Sequence, residues 1–177
     1  MKYLSTRNNK IRETFTNVLF QGLSKDGGLF LPEIWPTINI KNLREKSYEE
    51  VAFNIIDPFL DKNISRDDIF KIICKTYKNF THSNIAPLVH IDEKKYILEL
   101  FYGPTFAFKD YALQLLGNLF SYFIDSLDKK ITVLGATSGD TGSAAINAFK
   151  DKDNINVFIL HPHNKVSEVQ RKQMTTV

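Results

Sequence analysis

Lys109 lies in the run GPTFAFKDYALQLL (residues 103–116), and a glycine-rich run, VLGATSGDTGSAA (residues 133–145), follows it. A primary amine held near a helix start can act as an imine-forming nucleophile when its surroundings favour the neutral form. Residues 96–101 (YILELF) predict a short buried strand, Gly103 and Pro104 break it, and Leu113, Leu116, Phe120 and Phe123 carry helical spacing. Lys109 therefore falls at or just before the start of a helix. There the positive end of the macrodipole and crowding by Phe106, Phe108 and Tyr111 both favour the neutral amine. The same residues also fit a lysine that lies along an apolar helix start with its ammonium in water. Asp110 is expected only to complement the helix start.

Residues 131–135 (ITVLG) predict a strand, and residues 143–149 (SAAINAF) predict a small-residue helix that can pack closely on a sheet. Between them Gly135, Gly139 and Gly142 are interleaved with Thr137, Ser138, Asp140 and Thr141. Glycines let the chain turn its amides inward, hydroxyls add donors, and a helix N-terminus supplies positive potential, so this is a site for an anion. A phosphate or a carboxylate would fit. Commoner motifs fail here. No lysine follows Gly142, which excludes a Walker phosphate loop; the GxxxGxxG spacing is not the dinucleotide fingerprint; Ala136 and Asp140 flank Ser138 where a nucleophile elbow has glycines. A plain strand-to-helix connection also fits these residues.

Together the two runs resemble threonine synthase, a pyridoxal-phosphate enzyme of the tryptophan synthase β-like (fold type II) superfamily. GPTFAFKD resembles that family's cofactor-lysine motif and ATSGDTGSAA its substrate-carboxylate loop. YLSTRN (residues 3–8), GLSKDGGLFLPE (residues 22–33) and KVSEVQRKQMTT (residues 165–176) agree, so the resemblance spans the chain. It implies that Lys109 holds pyridoxal 5'-phosphate as an imine, that Asp140 also binds the cofactor, and that Thr137, Ser138, Gly139, Asp140 and Thr141 bind the substrate carboxylate. The implied reaction turns O-phospho-L-homoserine and water into L-threonine and phosphate by γ-elimination and β-addition, with Lys109 moving the protons. A related dehydratase, a cysteine synthase-like enzyme and a non-catalytic small-anion-binding module are the alternatives. By the same resemblance, the loop that grips the cofactor phosphate and the hydroxyl residue near the pyridine nitrogen lie beyond Val177. The chain is then expected to be the N-terminal part of a longer enzyme, inactive by itself and able to self-associate through an incomplete sheet.

Composition sets the remaining bounds. The 177 residues are 43% hydrophobic, enough for a sizeable core. The net charge of +3 is scattered, with no dense basic stripe interleaved with aromatics, which argues against nucleic acid as a partner. Cys74 is the single cysteine, so no internal disulfide forms and a reducing compartment is expected. The opening MKYLSTRNNK lacks an apolar leader core, and no run of 18 apolar residues occurs, which argues against a membrane and for a cytoplasmic protein.

The expected fold is α/β, a helical N-terminal region plus part of a parallel-sheet fold type II architecture. Residues 1–90 are expected to form a mainly helical threonine-synthase-type domain, and residues 91–177 an incomplete α/β cofactor-binding domain. In the first, a helix is expected near residues 13–23 and a short strand at 29–31; SYEE (47–50) and SRDD (65–68) then open two amphipathic helices. In the second, strands at 96–101, 131–135 and 155–160 alternate with helices at 110–125 and 141–149, and a last helix opens at Ser167 and Gln170. His161 and His163 flank Pro162 at a strand end; no third ligand accompanies them, so a loop role and no metal are expected. Lys165, just past that strand end, is the candidate for a substrate phosphate.

Overall fold

The computed structural model describes residues 1–127 and 130–177. They form two compact units, Met1–Ile73 and Cys74–Val177.

The first unit is not all helical. Strands β1 (Lys2–Ser5), β2 (Arg12–Thr14) and β3 (Phe30–Pro32) make an antiparallel sheet in the order β2-β1-β3. β2 takes the start of the helix expected at residues 13–23, leaving α1 as Phe15–Gln21, with Thr14 accepting from the Asn17 amide at its head. Strands of three or four residues are too short to show a period of two, which is why this sheet escapes a pattern reading. α2 (Tyr48–Ile56) opens with the expected capping box: the Glu50 amide donates to Ser47 Oγ (3.2 Å) and the Ser47 amide to Glu50 Oε2 (2.8 Å). α3 (Arg66–Tyr77) opens with the Asp68 amide donating to Ser65 Oγ, and its Ile69, Ile72 and Ile73 are buried as the spacing predicts.

The units part inside α3, upstream of the boundary expected near residue 90. The reason lies in Tyr77 and Tyr111: the Tyr77 hydroxyl donates to the Tyr111 carbonyl (3.0 Å), the Tyr111 hydroxyl donates to the Ile85 carbonyl (2.6 Å), and Phe80 packs on the Tyr111 ring. These bonds tie residues 77–85 to the helix that begins at Asp110.

In the second unit β4 (Leu88–Asp92) and β5 (Lys95–Leu98) form an antiparallel hairpin. α4 (Asp110–Leu127) follows, then β6 (Ile131–Ala136), α5 (Asp140–Phe149), β7 (Ile155–Leu160) and α6 (Glu168–Thr175). β6 and β7 pair in parallel, from Ile131 opposite Ile155 to Ala136 opposite Leu160, with α5 as the crossover. The strand expected at residues 96–101 needs correction. It ends at Leu98, pairs with β4 and not with the parallel strands, and Tyr96, Ile97 and Leu98 are more than half exposed. Asp92 and Lys95, linked Oδ2 to Nζ at 3.3 Å, close a tight turn that folds β5 back on β4.

The core of this unit is Leu119, Phe123 and Ile124 of α4 with Ala144, Ala145, Ala148 and Phe149 of α5. Gly117 lets the two helices approach: a Cβ there would run into the Ala148 carbonyl. One sheet face is covered and the other open, the open one carrying Leu134 (68% exposed), Phe158 (59%) and Leu160 (61%).

Candidate active site

Lys109 immediately precedes α4, as the break at Gly103 and Pro104 predicts. Its carbonyl accepts the Leu113 amide (2.9 Å) and so starts the helical ladder. Its Nζ stands 4.5 Å from the centre of the Phe108 ring, a cation–π contact. The turn before it is closed by Asp110. The Asp110 carboxylate, fully buried, accepts from the Thr105 amide and the Thr105 hydroxyl, both at 2.8 Å. Phe106 adopts φ 62°, a left-handed conformation uncommon for an aromatic residue, and its amide donates to the Gly103 carbonyl. Gly103 is required: a Cβ would come within 2.5 Å of Asp110 Cβ and Oδ2. Sequence reasoning gave Asp110 only a dipole role and missed this closure. The signal was present as a threonine and an aspartate bracketing a glycine-led turn, a pair that bonds through side chain and backbone.

The second loop joins β6 to α5. The Thr137 amide donates to the Leu160 carbonyl (2.9 Å), which stitches the loop to the end of β7. The Gly139 amide is used by Thr137 Oγ1 (3.2 Å) and the Gly142 amide by the Gly139 carbonyl (3.1 Å). The amides of Ser138, Asp140 and Thr141 have no partner among the described residues. Three donors at the N-terminus of a ten-residue helix can hold an anion. The Asp140 side chain turns away from that task, its Oδ1 accepting from Gln170 Nε2 at 2.8 Å. Gly142 is set by packing, since a Cβ there would meet Met174 Sδ and Thr137 Cγ2.

Helix register brings the two loops to one end of the unit. Gln114 Nε2 donates to Asn147 Oδ1 (2.9 Å), Gly117 abuts Ala148, and Phe120 packs on Phe149, so α4 and α5 run parallel. Carried back about two turns from Gly117 and Ala148, the same register sets Lys109 level with the start of α5. Both helix starts lie at the carboxyl edge of β6 and β7, where open parallel sheets hold ligands.

Lys165 follows β7 in an exposed turn, its amide donating to the Pro162 carbonyl (3.3 Å). Beside it His161, His163, Asn164, Glu168 and Arg171 line a cavity of about 500 Å³. The Nδ1 of His161 is buried and has no hydrogen-bond partner among the described residues. No group of three or more His, Cys, Asp or Glu side chains among the described residues is placed to hold a metal ion, and no described helix is long and apolar enough to cross a membrane.

Residues 2–77 match the family described as threonine synthase N terminus. Over all of its length the chain is 46% identical to a threonine synthase of Pseudomonas aeruginosa, and it covers 38% of that protein. Its structure superposes on a pyridoxal-phosphate-bound threonine synthase of Brucella melitensis with a TM-score of 0.93 at 45% identity, covering 99% of this chain and 38% of that one. Yeast threonine synthase gives 0.92 at 41% identity, again over 99% and 38%. The chain thus spans well under half the length of the curated relatives it matches. A parallel βαβ crossover with helix-start loops at its carboxyl edge, matched in this way, gives the chain the mixed α/β fold of the part of those structures that it covers. Over its whole length the chain is similar to the N-terminal portion of threonine synthases.

Proposed function

We propose that this chain supplies the imine-forming lysine and the substrate-carboxylate loop of a threonine synthase, which converts O-phospho-L-homoserine and water into L-threonine and phosphate. The observation that carries this reading is the placement of Lys109 level with a helix start whose Ser138, Asp140 and Thr141 amides lack partners. These residues suit pyridoxal 5'-phosphate. A lysine amine at this position would hold the cofactor's aldehyde, and the free amides at the start of α5 suit an amino-acid carboxylate. When bound, that cofactor supplies an electron sink for a carbanion at the substrate Cα.

The chain's own residues divide the work. Lys109 would hold the cofactor, and its free amine would take the proton from the substrate Cα and move protons in the later steps. Thr137, Ser138, Gly139, Asp140 and Thr141 orient the substrate carboxylate: Ser138, Asp140 and Thr141 through their amides, Thr137 and Gly139 by holding the loop in shape. Lys165, exposed beside the carboxyl edge, meets the substrate phosphate. We place this activity in the cytoplasm, on the strength of a chain with Cys74 as its single cysteine. The open sheet face with Leu134, Phe158 and Leu160 supports self-association of the 177-residue chain, which light scattering would detect as a mass above that of one copy.

Pyridoxal phosphate added to the chain should give a visible imine absorbance that O-phospho-L-homoserine perturbs in preference to L-serine or O-acetyl-L-serine. A response confined to serine or O-acetylserine would reassign the site to a dehydratase or a cysteine synthase-like enzyme. Absence of any imine band would leave an anion-binding module.

A further inference from the structure

Asp110 has no task in the reaction just described, yet it is the only charged side chain among the described buried residues. A buried carboxylate is costly unless its oxygens are well satisfied. Here both oxygens are satisfied by one residue, Thr105, through its amide and its hydroxyl, and no ion pair among the described residues involves Asp110. Such an arrangement neutralises no neighbouring cation. What it does is close residues 103–110 into a clasp: the Phe106 amide bonds back to Gly103, the Asp110 amide bonds to the Ala107 carbonyl (3.0 Å), and Phe106 is held at positive φ. Lys109 lies inside the clasp, next to Asp110, and its own carbonyl accepts the Leu113 amide at the start of the helical ladder. Its backbone is thereby pinned on both sides.

We propose that Asp110 is the positioning residue for Lys109, acting through Thr105 to fix where the amine stands at the head of α4. The proposal rests on the reading of Lys109 as the imine former. It predicts that loosening the clasp weakens the chemistry of Lys109 selectively, leaving other lysines alone.

Two probes applied to the 177-residue chain test it, each read by mass spectrometry as labelling of Lys109 relative to the exposed Lys94. One is pyridoxal phosphate trapped with borohydride; the other is acetic anhydride, which needs no cofactor. Asp110→Asn and Thr105→Val should each change the Lys109 to Lys94 ratio with both probes, lowering the pyridoxal ratio by about tenfold, the scale of a lost charge-assisted hydrogen bond. Thr105→Ser, which keeps the hydroxyl and the amide, should keep the parent ratio. A purely structural role would shift the melting temperature and leave both ratios unmoved. If Asp110→Asn does not fold, Thr105→Val decides, because it retains the amide bond and removes only the hydroxyl. Unchanged ratios in folded Thr105→Val would overturn the proposal. If pyridoxal phosphate fails to label Lys109 in the parent chain while the anhydride ratio still responds to the variants, the imine reading falls and the positioning role stands.

Discussion

Replacing Gly117 by alanine tests whether the two helix starts are held in register by close packing of α4 on α5. In an unobstructed helix this change stabilises by about 1 kcal/mol, because alanine restricts the unfolded chain. Here the new methyl would fall within the contact distance of the Ala148 carbonyl oxygen and lie 3.1 Å from its carbon. The obstacle is backbone, so no side-chain rotation relieves it, and α4 must move away from α5. Overpacking of this kind costs about 1–3 kcal/mol. With a fixed backbone obstacle the upper part of that range applies, and the net loss is about 1–2 kcal/mol, or a melting temperature lower by about 2–8 °C for a chain of this size. Urea unfolding followed by circular dichroism should show a lower midpoint with an unchanged slope. Movement of α4 also carries Lys109 away from the start of α5, so pyridoxal labelling of Lys109 should fall in the folded variant. A Gly117→Ala chain that melts at or above the parent would refute the close approach and, with it, the register that sets Lys109 level with the anion loop.

Three further outcomes follow from the same geometry. Burial, with the Asp61 charge second, raises the Tyr3 hydroxyl to about 12, and that hydroxyl donates to the Phe59 carbonyl at 2.7 Å. A group whose folded value is raised stabilises fully below its ordinary value and loses that stability as pH climbs through the folded one, so the chain should weaken between pH of about 10 and about 12. Tyr3→Phe should flatten that loss in urea midpoints, and a phenolate absorbance titration with no Tyr3 component above the ordinary range would contradict the assignment. Burial pushes the Asp61 carboxyl up, but bonds from the Thr16 and Asn63 amides outweigh it and hold the group below the usual carboxylate range. Asp61→Ala should therefore cost about 1.5–3 kcal/mol at neutral pH and less as pH falls below the carboxylate range, as measured by chemical unfolding. At the anion loop, crystals grown with sulfate should place the ion at the Ser138, Asp140 and Thr141 amides, and an empty loop in such crystals would count against the anion site.

The elements with strong local signals were legible in the sequence, and those set by long-range pairing were not. Ser47 with Glu50, and Ser65 with Asp68, announce their helices because a cap is made by residues three apart. Residues 131–160 read correctly because each strand is an apolar run and each turn holds glycine or a small polar residue. β5 misled because YILELF looks the same whether it is buried in a parallel sheet or lies in an exposed hairpin; the partner, β4, decides. β1 and β2 were invisible for want of length. At the site, the position of Lys109 and the small, glycine-bearing loop at residues 137–142 were readable from types and spacing. The inward turn of Asp110 toward Thr105, and the outward turn of Asp140 toward Gln170, depend on how each side chain is finally packed, which spacing alone does not carry.

Borohydride reduction of the chain after incubation with pyridoxal phosphate, followed by peptide mass spectrometry, tests the central claim most directly. A reduced pyridoxyl group on the peptide that carries Lys109, absent from Lys109→Ala and suppressed by prior addition of O-phospho-L-homoserine, is the predicted result. Label distributed over the exposed lysines in proportion to their accessibility, and undiminished in Lys109→Ala, would contradict it.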